Sequence, residues 1–391
     1  MTITERERAD LDELYADFAA AGLMPLWTQR EGLMPVSPRP AARPHRWRWA
    51  DLLPLAERSA ALVPVGRGGE RRAIALANPG LPGQPYATPT LWAAIQYLGP
   101  REVAPAHRHT QGAFRFVVDG EGVWTNVDGD AVAMRRGDLL LTPGWAFHEH
   151  HNTMDRPMAW LDGLDIPLVA ALDAGFFEFG PDTLATTATP DRSRGERLWG
   201  HPGLRPAALP GYGRPSGRTP APPGSGQPPQ ASGEQPGAPG GQPPGAPDPR
   251  NSPLAAYRWA HTDAALAAQL ELEAEGTVAT LGPGHACVRF CNPASGGDAL
   301  VTIRTEMHRL AAGTRTGPVR HVGSAVWQVF AGEATATVGD QRFVVAAGDL
   351  FAVPSWCEVT IEARDRTDLF RFSDEPVYEA LGLARTQPAR P

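Results

Sequence analysis

Residues 113–122 read AFRFVVDGEG, and residues 325–334 read AVWQVFAGEA, so the chain contains two versions of one segment. Each version is followed at a similar distance by a Gly-Asp-Leu motif, which starts at Gly137 in the first copy and at Gly348 in the second. Short alternating apolar runs that end at Gly and Asp-Gly turns are typical of antiparallel strands in a barrel or jelly roll. The repeat therefore predicts a mainly β protein with two related jelly-roll barrels.

The sequence around the repeat predicts the domain boundaries. Residues 204–250 consist largely of Pro and Gly with almost no large apolar side chains, a composition that favours a disordered linker. We expect an N-terminal barrel over residues 91–203 and a C-terminal barrel over residues 251–391. Residues 1–90 are expected to form an N-terminal helix and an arm that wraps around the barrels.

Short helices are predicted outside the barrels. Residues 5–18 place Leu11, Leu14, Tyr15 and Phe18 on one helical face, which indicates an amphipathic helix. A second helix is predicted over residues 254–272, which are rich in Ala and Leu. Residues 24–65 are crowded with Pro and Trp, and we interpret them as an irregular arm.

Composition and charge exclude several classes of protein. The 391 residues are 42% hydrophobic, which is enough for packed cores, and no apolar run approaches the length of a membrane span. The net charge of −7 argues against a nucleic-acid partner, which requires a basic face. The chain has only three cysteines and a charged N-terminus without an apolar signal core, so we expect a cytoplasmic location.

The histidines are the most specific chemical signal in the sequence. His107 and His109 are two residues apart, so on a strand their side chains point to the same face. His148 follows the first Gly-Asp-Leu motif, and we expect it on a strand that faces the first pair across the barrel. Three neutral imidazoles can bind a metal and leave coordination positions open for catalysis. The alternative is that these histidines are hydrogen-bonded or surface residues at strand ends.

The second copy of the repeat provides an internal comparison. Aligning residue 113 with residue 325 pairs His107 with Val319 and His109 with His321, and aligning the two Gly-Asp-Leu motifs pairs His148 with Val359. Histidines that the fold itself required would be present in both copies. We therefore expect a metal site in the N-terminal barrel and no metal in the C-terminal barrel.

Further motifs occur in order along the chain: Pro25-Leu26-Trp27, Trp47-Arg48-Trp49, Arg71-Arg72, Asn78-Pro79-Gly80, Leu91-Trp92, His107-Arg108-His109, Trp145 to Asn152, Arg289-Phe290 and Asn292-Pro293. With these motifs the sequence resembles the cupin superfamily and, within it, the bicupin gentisate 1,2-dioxygenase family. That family includes relatives that cleave the rings of salicylate and 1-hydroxy-2-naphthoate. The resemblance covers most of the chain outside the predicted linker.

The resemblance implies a bicupin enzyme that opens an aromatic ring with O2 and incorporates both oxygen atoms. It implies an Fe(II) cofactor bound by His107, His109 and His148, and a small aromatic hydroxy acid as the substrate. For gentisate the product would be maleylpyruvate, in the degradation of aromatic compounds. Salicylate and 1-hydroxy-2-naphthoate remain alternative substrates, and a non-catalytic cupin that binds aromatic acids is the alternative from another class. The family also implies a homotetramer.

The resemblance places these residues on the substrate side of the site: one of Arg71 and Arg72, together with Trp92, Gln96, Arg115, His150 and Asp162. Arg115 follows His109 by six residues, so we expect it on the same strand face, where it can pair with a carboxylate. His150 shares a face with His148 if the segment is extended, and it can then hydrogen-bond a hydroxyl or act as an acid or base. Asp162 is expected to orient His150 or Arg115. The alternatives are structural roles: an arginine at the barrel mouth, a supporting histidine, a surface carboxylate and a core tryptophan.

Two departures from related sequences bear on the chemistry. Many cupins have a carboxylate ligand five residues after the second histidine, where this chain has Phe114. An all-histidine site is neutral, so the metal keeps its full charge for an anionic substrate, which disfavours a manganese oxalate-type enzyme. Glu149 and His151 stand where relatives more often have Asp and Gly, and this leaves the fine substrate preference open.

Overall fold

The computed structural model describes residues 4–29, 33–65, 72–182, 184–186, 191–201, 204 and 250–388. The chain separates into two compact units, residues 1–39 and residues 40–391. The predicted linker, residues 204–250, lies outside the described residues except for its two end positions. Within the part of the chain that is described, no helix is long and apolar enough to span a membrane.

The first unit contains the predicted N-terminal helix, α1 (Glu5–Ala20), which is confirmed. It begins with a capping box, in which the Thr4 hydroxyl and the Glu7 carboxylate bond to each other's backbone N–H groups. A short 3₁₀ turn, Leu26–Thr28, follows the helix. The Trp27 ring meets Phe18 edge-on at 5.9 Å, so this turn covers part of the predicted apolar face.

The prediction of an irregular arm over residues 24–65 is wrong for its second half. Strand β1 (His45–Trp47) is followed by helix α2 (Trp49–Leu62). Pro54 removes one helical hydrogen bond, but most of the surrounding residues favour helix, and Leu52 and Ala56 are buried in apolar clusters. Tertiary packing therefore outweighs the cost of the proline.

The N-terminal barrel consists of two facing sheets. Its strands are β2 (Ala73–Ala75), β3 (Trp92–Leu98), β4 (Val103–His109), β5 (Ala113–Asp119), β6 (Glu121–Val127), β7 (Asp130–Arg135), β8 (Leu139–Thr142), β9 (His148–Asn152), β10 (Met158–Leu164), β11 (Phe177–Phe179) and β12 (Ala256–Tyr257). One sheet has the order β12-β8-β5-β10-β3-β2, and the other has the order β11-β4-β9-β6-β7. Helices α3 (Ile166–Ala171) and α4 (Arg194–Trp199) lie after β10 in the chain.

The C-terminal barrel repeats this arrangement. Its strands are β13 (His285–Arg289), β14 (Arg304–Leu310), β15 (Val319–His321), β16 (Ala325–Ala331), β17 (Glu333–Val338), β18 (Gln341–Ala346), β19 (Leu350–Val353), β20 (Val359–Ala363), β21 (Thr367–Ser373) and β22 (Thr386–Pro388). The sheet orders are β1-β19-β16-β21-β14-β13 and β18-β17-β20-β15-β22. Helix α5 (Trp259–Ala274) precedes this barrel, and α6 (Glu375–Ala380) follows β21. The described strands thus confirm the predicted fold class of two mainly β barrels with short peripheral helices.

Each barrel is completed by a strand from the other half of the chain. Strand β1 pairs with β19 in the C-terminal barrel, and β12 pairs with β8 in the N-terminal barrel. The sequence predicted that this helix begins at residue 254, whereas α5 begins at Trp259. The pairing of β12 explains the difference. Residues 256–257 belong to a strand before the helix can start.

Helices α2 and α5 follow β1 and β12, the strands that the two halves of the chain exchange. The N-terminus of each helix contacts the Gly-Asp-Leu motif of the barrel that the strand joins. The Asp138 carboxylate accepts a hydrogen bond from the backbone N–H of Trp259 at 2.9 Å, and Asp349 accepts one from Trp49 at 2.8 Å. Gly137 has a positive φ, and a Cβ there would clash with the Trp259 ring. The motif therefore combines a close approach, which requires glycine, with an acidic partner for a helix N-terminus.

A cluster of phenylalanines lies between the two barrels. Phe116 stacks on Phe370 with ring centroids 4.1 Å apart, and Phe114 meets Phe372 edge-on at 4.9 Å. All four rings are fully buried. Phe114, the position at which many cupins have a carboxylate ligand, therefore contributes to the core between the barrels.

Candidate metal centre and active site

Three histidines converge inside the N-terminal barrel. His107 on β4 lies opposite His148 on β9 in one sheet, so the two strands are neighbours. The expectation that these strands face each other across the barrel is therefore wrong. The candidate ligand atoms of His107, His109 and His148 all lie within 4.8 Å of one another. Within the described residues, this is the only group of histidine, cysteine or carboxylate side chains with such geometry.

Backbone carbonyls hold all three imidazole rings in one orientation. The Nδ1 atoms of His107, His109 and His148 lie 3.0, 2.9 and 3.0 Å from the carbonyl oxygens of Pro105, Gln111 and Ala146. A carbonyl can only accept, so each Nδ1 carries the proton and each Nε2 keeps its lone pair. The Nε2 of His148 is buried and has no hydrogen-bond partner within the described residues. This donor set fits a divalent metal bound by three neutral imidazoles.

Burial also favours the neutral form of these rings. Burial, followed by the neighbouring His107, lowers the pKa of His109 to about 4. Burial, followed by the positive charge of Arg115, lowers the pKa of His148 well below its usual value. Both imidazoles are therefore neutral near pH 7, which is the form that binds a metal.

The three histidines open into a cavity of about 850 Å³. The cavity is also lined by five of the residues predicted for the substrate side: Trp92, Gln96, Arg115, His150 and Asp162. Trp92 and Gln96 are four residues apart on β3, so they project from the same face of that strand. The barrel thus brings the predicted ligands and most of the predicted substrate residues into one space.

Arg115 reaches the cavity from a different strand than expected. A turn at residues 110–112 separates β4 from β5, so His109 and Arg115 do not share a strand. Arg115 lies opposite Asp162 on β10, with its Nε 3.5 Å from the Asp162 Oδ1, and it donates a hydrogen bond to Thr142. Both side chains are almost fully buried. The guanidinium is therefore held at the wall of the cavity by neighbours on two strands.

Asp162 is placed beside Arg115 rather than beside His150. Burial raises the pKa of Asp162 to about 6, while Arg115 and a 3.0 Å hydrogen bond from the Trp160 indole act in the opposite direction. His150 instead contacts Thr125, whose hydroxyl lies 2.8 Å from Nδ1. Of the two partners that the sequence analysis allowed for Asp162, the geometry favours Arg115.

The structure does not bring Arg72 to the cavity. Its guanidinium is buried and forms an ion pair with Glu102, and it also donates to the carbonyls of Val63 and Tyr97. These contacts occupy the side chain away from the metal site. Arg71, the alternative position, lies outside the described residues.

An aromatic strand at the edge of the cavity was missed. Phe177 and Phe179 on β11 line the cavity, and β11 pairs with the edge of β4. The Phe177 ring stacks on His107 with centroids 5.5 Å apart. The alternating Phe-Glu-Phe pattern is a signal for such a strand, whereas Thr125 and Thr142 carry no sequence signal.

Glu149 and His151, the departures from related sequences, do not line the cavity. On β9 they alternate with His148 and His150, so they point to the opposite face of the sheet. Glu149 accepts a 3.1 Å hydrogen bond from the Asn126 amide, and His151 stacks on Trp124 at 4.1 Å. Their direct contacts therefore lie behind the metal-bearing strand.

The C-terminal barrel has a smaller cavity of about 440 Å³ with a different lining. Val319 and Val359 face each other across β15 and β20, in the same register as His107 and His148. Trp327 and Arg371 form the cross-strand pair that corresponds to Arg115 and Asp162, and Arg371 forms ion pairs with the carboxylates Glu306 and Glu375. Two of the three predicted ligand positions are thus apolar here, and the polar side chains bond to one another.

Comparisons with known proteins agree with this geometry. The Cupin domain model matches residues 94–164 and 306–369, one segment in each barrel. A gentisate 1,2-dioxygenase from Streptomyces sp is 70% identical over 98% of this chain and 97% of its own length. Gentisate 1,2 dioxygenase 1 from Aquipseudomonas alcaligenes is 32% identical over 98% of this chain and 99% of that relative. The crystal structure of salicylate 1,2-dioxygenase from Pseudoaminobacter salicylatoxidans, in adducts with gentisate, aligns with a TM-score of 0.86 and 50% identity, covering 100% of this chain and 96% of that one.

These similarities extend over nearly the full length of the chain, so they include both barrels and the residues of the cavity. They confirm the bicupin fold and the resemblance noted from the sequence motifs. They also confirm that the protein is an enzyme that uses O2 as a dioxygenase. The chain therefore belongs to the gentisate 1,2-dioxygenase family of ring-cleaving bicupins.

Proposed function

We propose that this enzyme opens the ring of gentisate, 2,5-dihydroxybenzoate, between the carboxylate-bearing carbon and the adjacent hydroxyl-bearing carbon. The product would be maleylpyruvate, and the reaction would belong to the degradation of aromatic compounds. The observation that carries the proposal is the convergence of three imidazole Nε2 atoms beside a buried arginine in one cavity of about 850 Å³. The 70% identity to a gentisate 1,2-dioxygenase supports gentisate as the substrate.

We propose Fe(II) as the metal and His107, His109 and His148 as its ligands. A backbone carbonyl binds the Nδ1 of each ring, which leaves each Nε2 for the metal, and neutral imidazoles would contribute no charge that offsets that of the metal. Bound there, Fe(II) would bring an aromatic acid and O2 together and allow charge to pass between them. An anionic substrate would be attracted to such a site.

The remaining residues of the cavity would bind and orient the substrate. Arg115 has only hydrogen-bond donors, so it would bind the substrate carboxylate, and Asp162 would hold its guanidinium in place. His150 would contact a ring hydroxyl. Trp92 and Gln96 on β3 would contact the ring from another side of the cavity.

Salicylate and 1-hydroxy-2-naphthoate remain the alternative substrates. The structural relative at 50% identity is a salicylate 1,2-dioxygenase, and its structure contains gentisate adducts, so one scaffold accommodates both types of acid. Gentisate has a second hydroxyl para to the first, which makes the ring more electron-rich and easier to oxidise than that of salicylate. We therefore expect this enzyme to prefer gentisate.

An oxygen electrode tests the proposal. Iron-loaded enzyme should consume O2 with gentisate and form a strongly absorbing ring-opened product, and it should act slowly or not at all on salicylate. Catechol lacks the carboxylate and should not be turned over. Equal rates with catechol and gentisate, or a ring-intact product, would refute the proposed binding mode.

The assembly and location of the enzyme are also proposals. The family resemblance supports a homotetramer, which the molar mass in solution would test. The sparse cysteines support a cytoplasmic location, and no nucleic acid is proposed as a partner because the net charge is −7.

A further inference from the structure

We infer that the Thr125 hydroxyl holds His150 in a single tautomer, with the proton on Nδ1 and the lone pair of Nε2 toward the cavity. Thr125 on β6 lies directly opposite His150 on β9 and is completely buried. Its Oγ1 lies 2.8 Å from the His150 Nδ1 and 3.0 Å from the carbonyl oxygen of Glu149. The inference depends on how one hydroxyl proton is shared between these two neighbours.

A count of protons decides which atom donates in each contact. The Glu149 carbonyl can only accept, so its contact with Thr125 is a hydrogen bond only if the hydroxyl donates. The hydroxyl has a single proton and has then used it. At the second contact Thr125 can only accept, so the Nδ1 of His150 must carry a hydrogen.

The opposite tautomer would lose one of these hydrogen bonds. With the proton on Nε2, the hydroxyl would have to donate to Nδ1. Thr125 Oγ1 and the Glu149 carbonyl would then be two acceptors 3.0 Å apart in a buried region. A buried polar group without its partner is costly, because water cannot replace the lost bond. Of the two neutral tautomers, the one with the proton on Nδ1 is therefore favoured, because it satisfies both hydrogen bonds.

This tautomer determines which substituent of the substrate His150 can contact. His150 lines the cavity, and Thr125 occupies its Nδ1, so Nε2 is the ring nitrogen that remains for a ligand. An unprotonated Nε2 accepts a hydrogen bond from a ring hydroxyl and cannot donate one to a carboxylate. Arg115 can only donate hydrogen bonds, so it prefers the substrate carboxylate to a hydroxyl hydrogen. Thr125 is thus a positioning residue that acts through His150, and this last step rests on the proposed function.

Nitrogen NMR of the imidazole rings tests the tautomer directly. The sample is full-length protein with ¹⁵N-labelled histidine and with Zn(II) bound, because zinc is diamagnetic and accepts three imidazoles. The His150 signals are identified by their loss in His150→Gln. We expect a protonated Nδ1 and an unprotonated Nε2 in the wild type. A protonated Nε2 in the wild type would overturn the inference, whatever the variants do.

Substitution of Thr125 adds a second test. Thr125→Val keeps the shape but removes the hydroxyl, so the fixed tautomer should be lost and kcat should fall by about 10- to 100-fold while iron stays bound. Thr125→Ser keeps a hydroxyl, so this variant should retain both the tautomer and most of the wild-type kcat. The matched control is Thr337→Val, at an exposed position on β17 of the other barrel, which should change neither.

The outcomes separate this inference from the proposed function. A wild type that leaves gentisate intact would refute the proposed function, and the NMR spectrum would still decide the tautomer. An unchanged tautomer and unchanged kcat in Thr125→Val would overturn the inference even if gentisate is the substrate. If Thr125→Val does not fold, the wild-type spectrum and Thr125→Ser remain decisive.

Discussion

His107 lies directly opposite His148 across strands β4 and β9. In the C-terminal barrel the same register places Val319 opposite Val359. Because a valine side chain has no atom that can bind a metal, the second barrel lacks two of the three nitrogens that the first one presents. We therefore expect metal binding in the N-terminal barrel alone.

Substitution of the three histidines tests this asymmetry. His107→Ala, His109→Ala and His148→Ala should each remove the metal and abolish O2 consumption, because the site loses one of three ligands. Iron content and activity are measured on the same purified samples. His321→Ala removes the one corresponding histidine of the second barrel and should leave iron and activity unchanged. Two irons per chain, or iron loss in His321→Ala, would contradict the assignment.

Arg115 is expected to contribute to substrate binding and not to metal binding. Arg115→Ala removes a charge-assisted hydrogen bond worth roughly 1.5–3 kcal/mol, so the Kd for gentisate should rise about ten- to a hundredfold. Iron content should stay the same, because Arg115 is not among the grouped metal ligands. Arg364→Ala is the control, since that side chain is 77% exposed in the C-terminal barrel. An unchanged Kd would exclude Arg115 from substrate binding.

Arg371 is expected to stabilise the C-terminal barrel. It is buried between the carboxylates of Glu306 and Glu375, and Arg371→Met would leave both without this partner. Loss of one member of a buried ion-pair network costs about 3–5 kcal/mol, so the free energy of unfolding should fall by that order. Denaturant titration of the two proteins measures the difference. A loss below about 1 kcal/mol would show that water already screens these charges.

The cost of Arg371→Met should depend on pH. Burial raises the pKa of Glu306, but His308 and Arg371 outweigh this effect and hold it well below its usual value of 4.5. A carboxylate with a lowered pKa stabilises the fold above pH 4.5, and this contribution is lost as the pH falls. In the variant, burial without Arg371 favours protonation instead. The stability difference between the two proteins should therefore be largest near neutral pH and should shrink in acid.

The two aspartates of the Gly-Asp-Leu motifs, Asp138 and Asp349, are expected to stabilise the fold to different extents. Asp138 binds the backbone N–H of Trp259 and the guanidinium of Arg258, whereas Asp349 binds the backbone N–H of Trp49 and of Ala346. Asp138→Ala should cost about 1–3 kcal/mol because it leaves a partly buried arginine with one partner fewer. Asp349→Ala should cost less, about 0.5–2 kcal/mol, as loss of a helix cap does. Thermal unfolding measures both losses of stability, and a larger loss in Asp349→Ala than in Asp138→Ala would contradict this account.

Much of the fold was predictable because the signals are local or repeated. The repeat at residues 113 and 325 indicated two barrels, and the position of His148 after the Gly-Asp-Leu motif placed it near His107 and His109. The exchange of β1 and β12 was not predictable, because strand pairing between distant segments leaves no pattern in either segment. Helix α2 was missed because residues 24–65 are crowded with Pro and Trp, whereas the burial of Leu52 and Ala56 depends on tertiary packing.

Parts of the candidate site were also not predictable, because they depend on contacts between segments that are distant in the sequence. The expectation for Arg115 treated residues 109–115 as one strand, although Gly112 marks the turn that moves Arg115 to the opposite sheet. Its arrival in the cavity depends on the barrel closing and not on residue spacing. Arg72 and Glu102 are 30 residues apart in sequence, so their ion pair could not be read from the local pattern.

The most direct test of the central claim is the fate of gentisate under ¹⁸O2. Iron-loaded enzyme should consume one O2 per gentisate and yield a ring-opened product in which mass spectrometry detects two ¹⁸O atoms, whereas His148→Ala should yield none. A product with an intact ring, or turnover by the His148→Ala protein, would contradict ring cleavage at the three-histidine cavity of the N-terminal barrel.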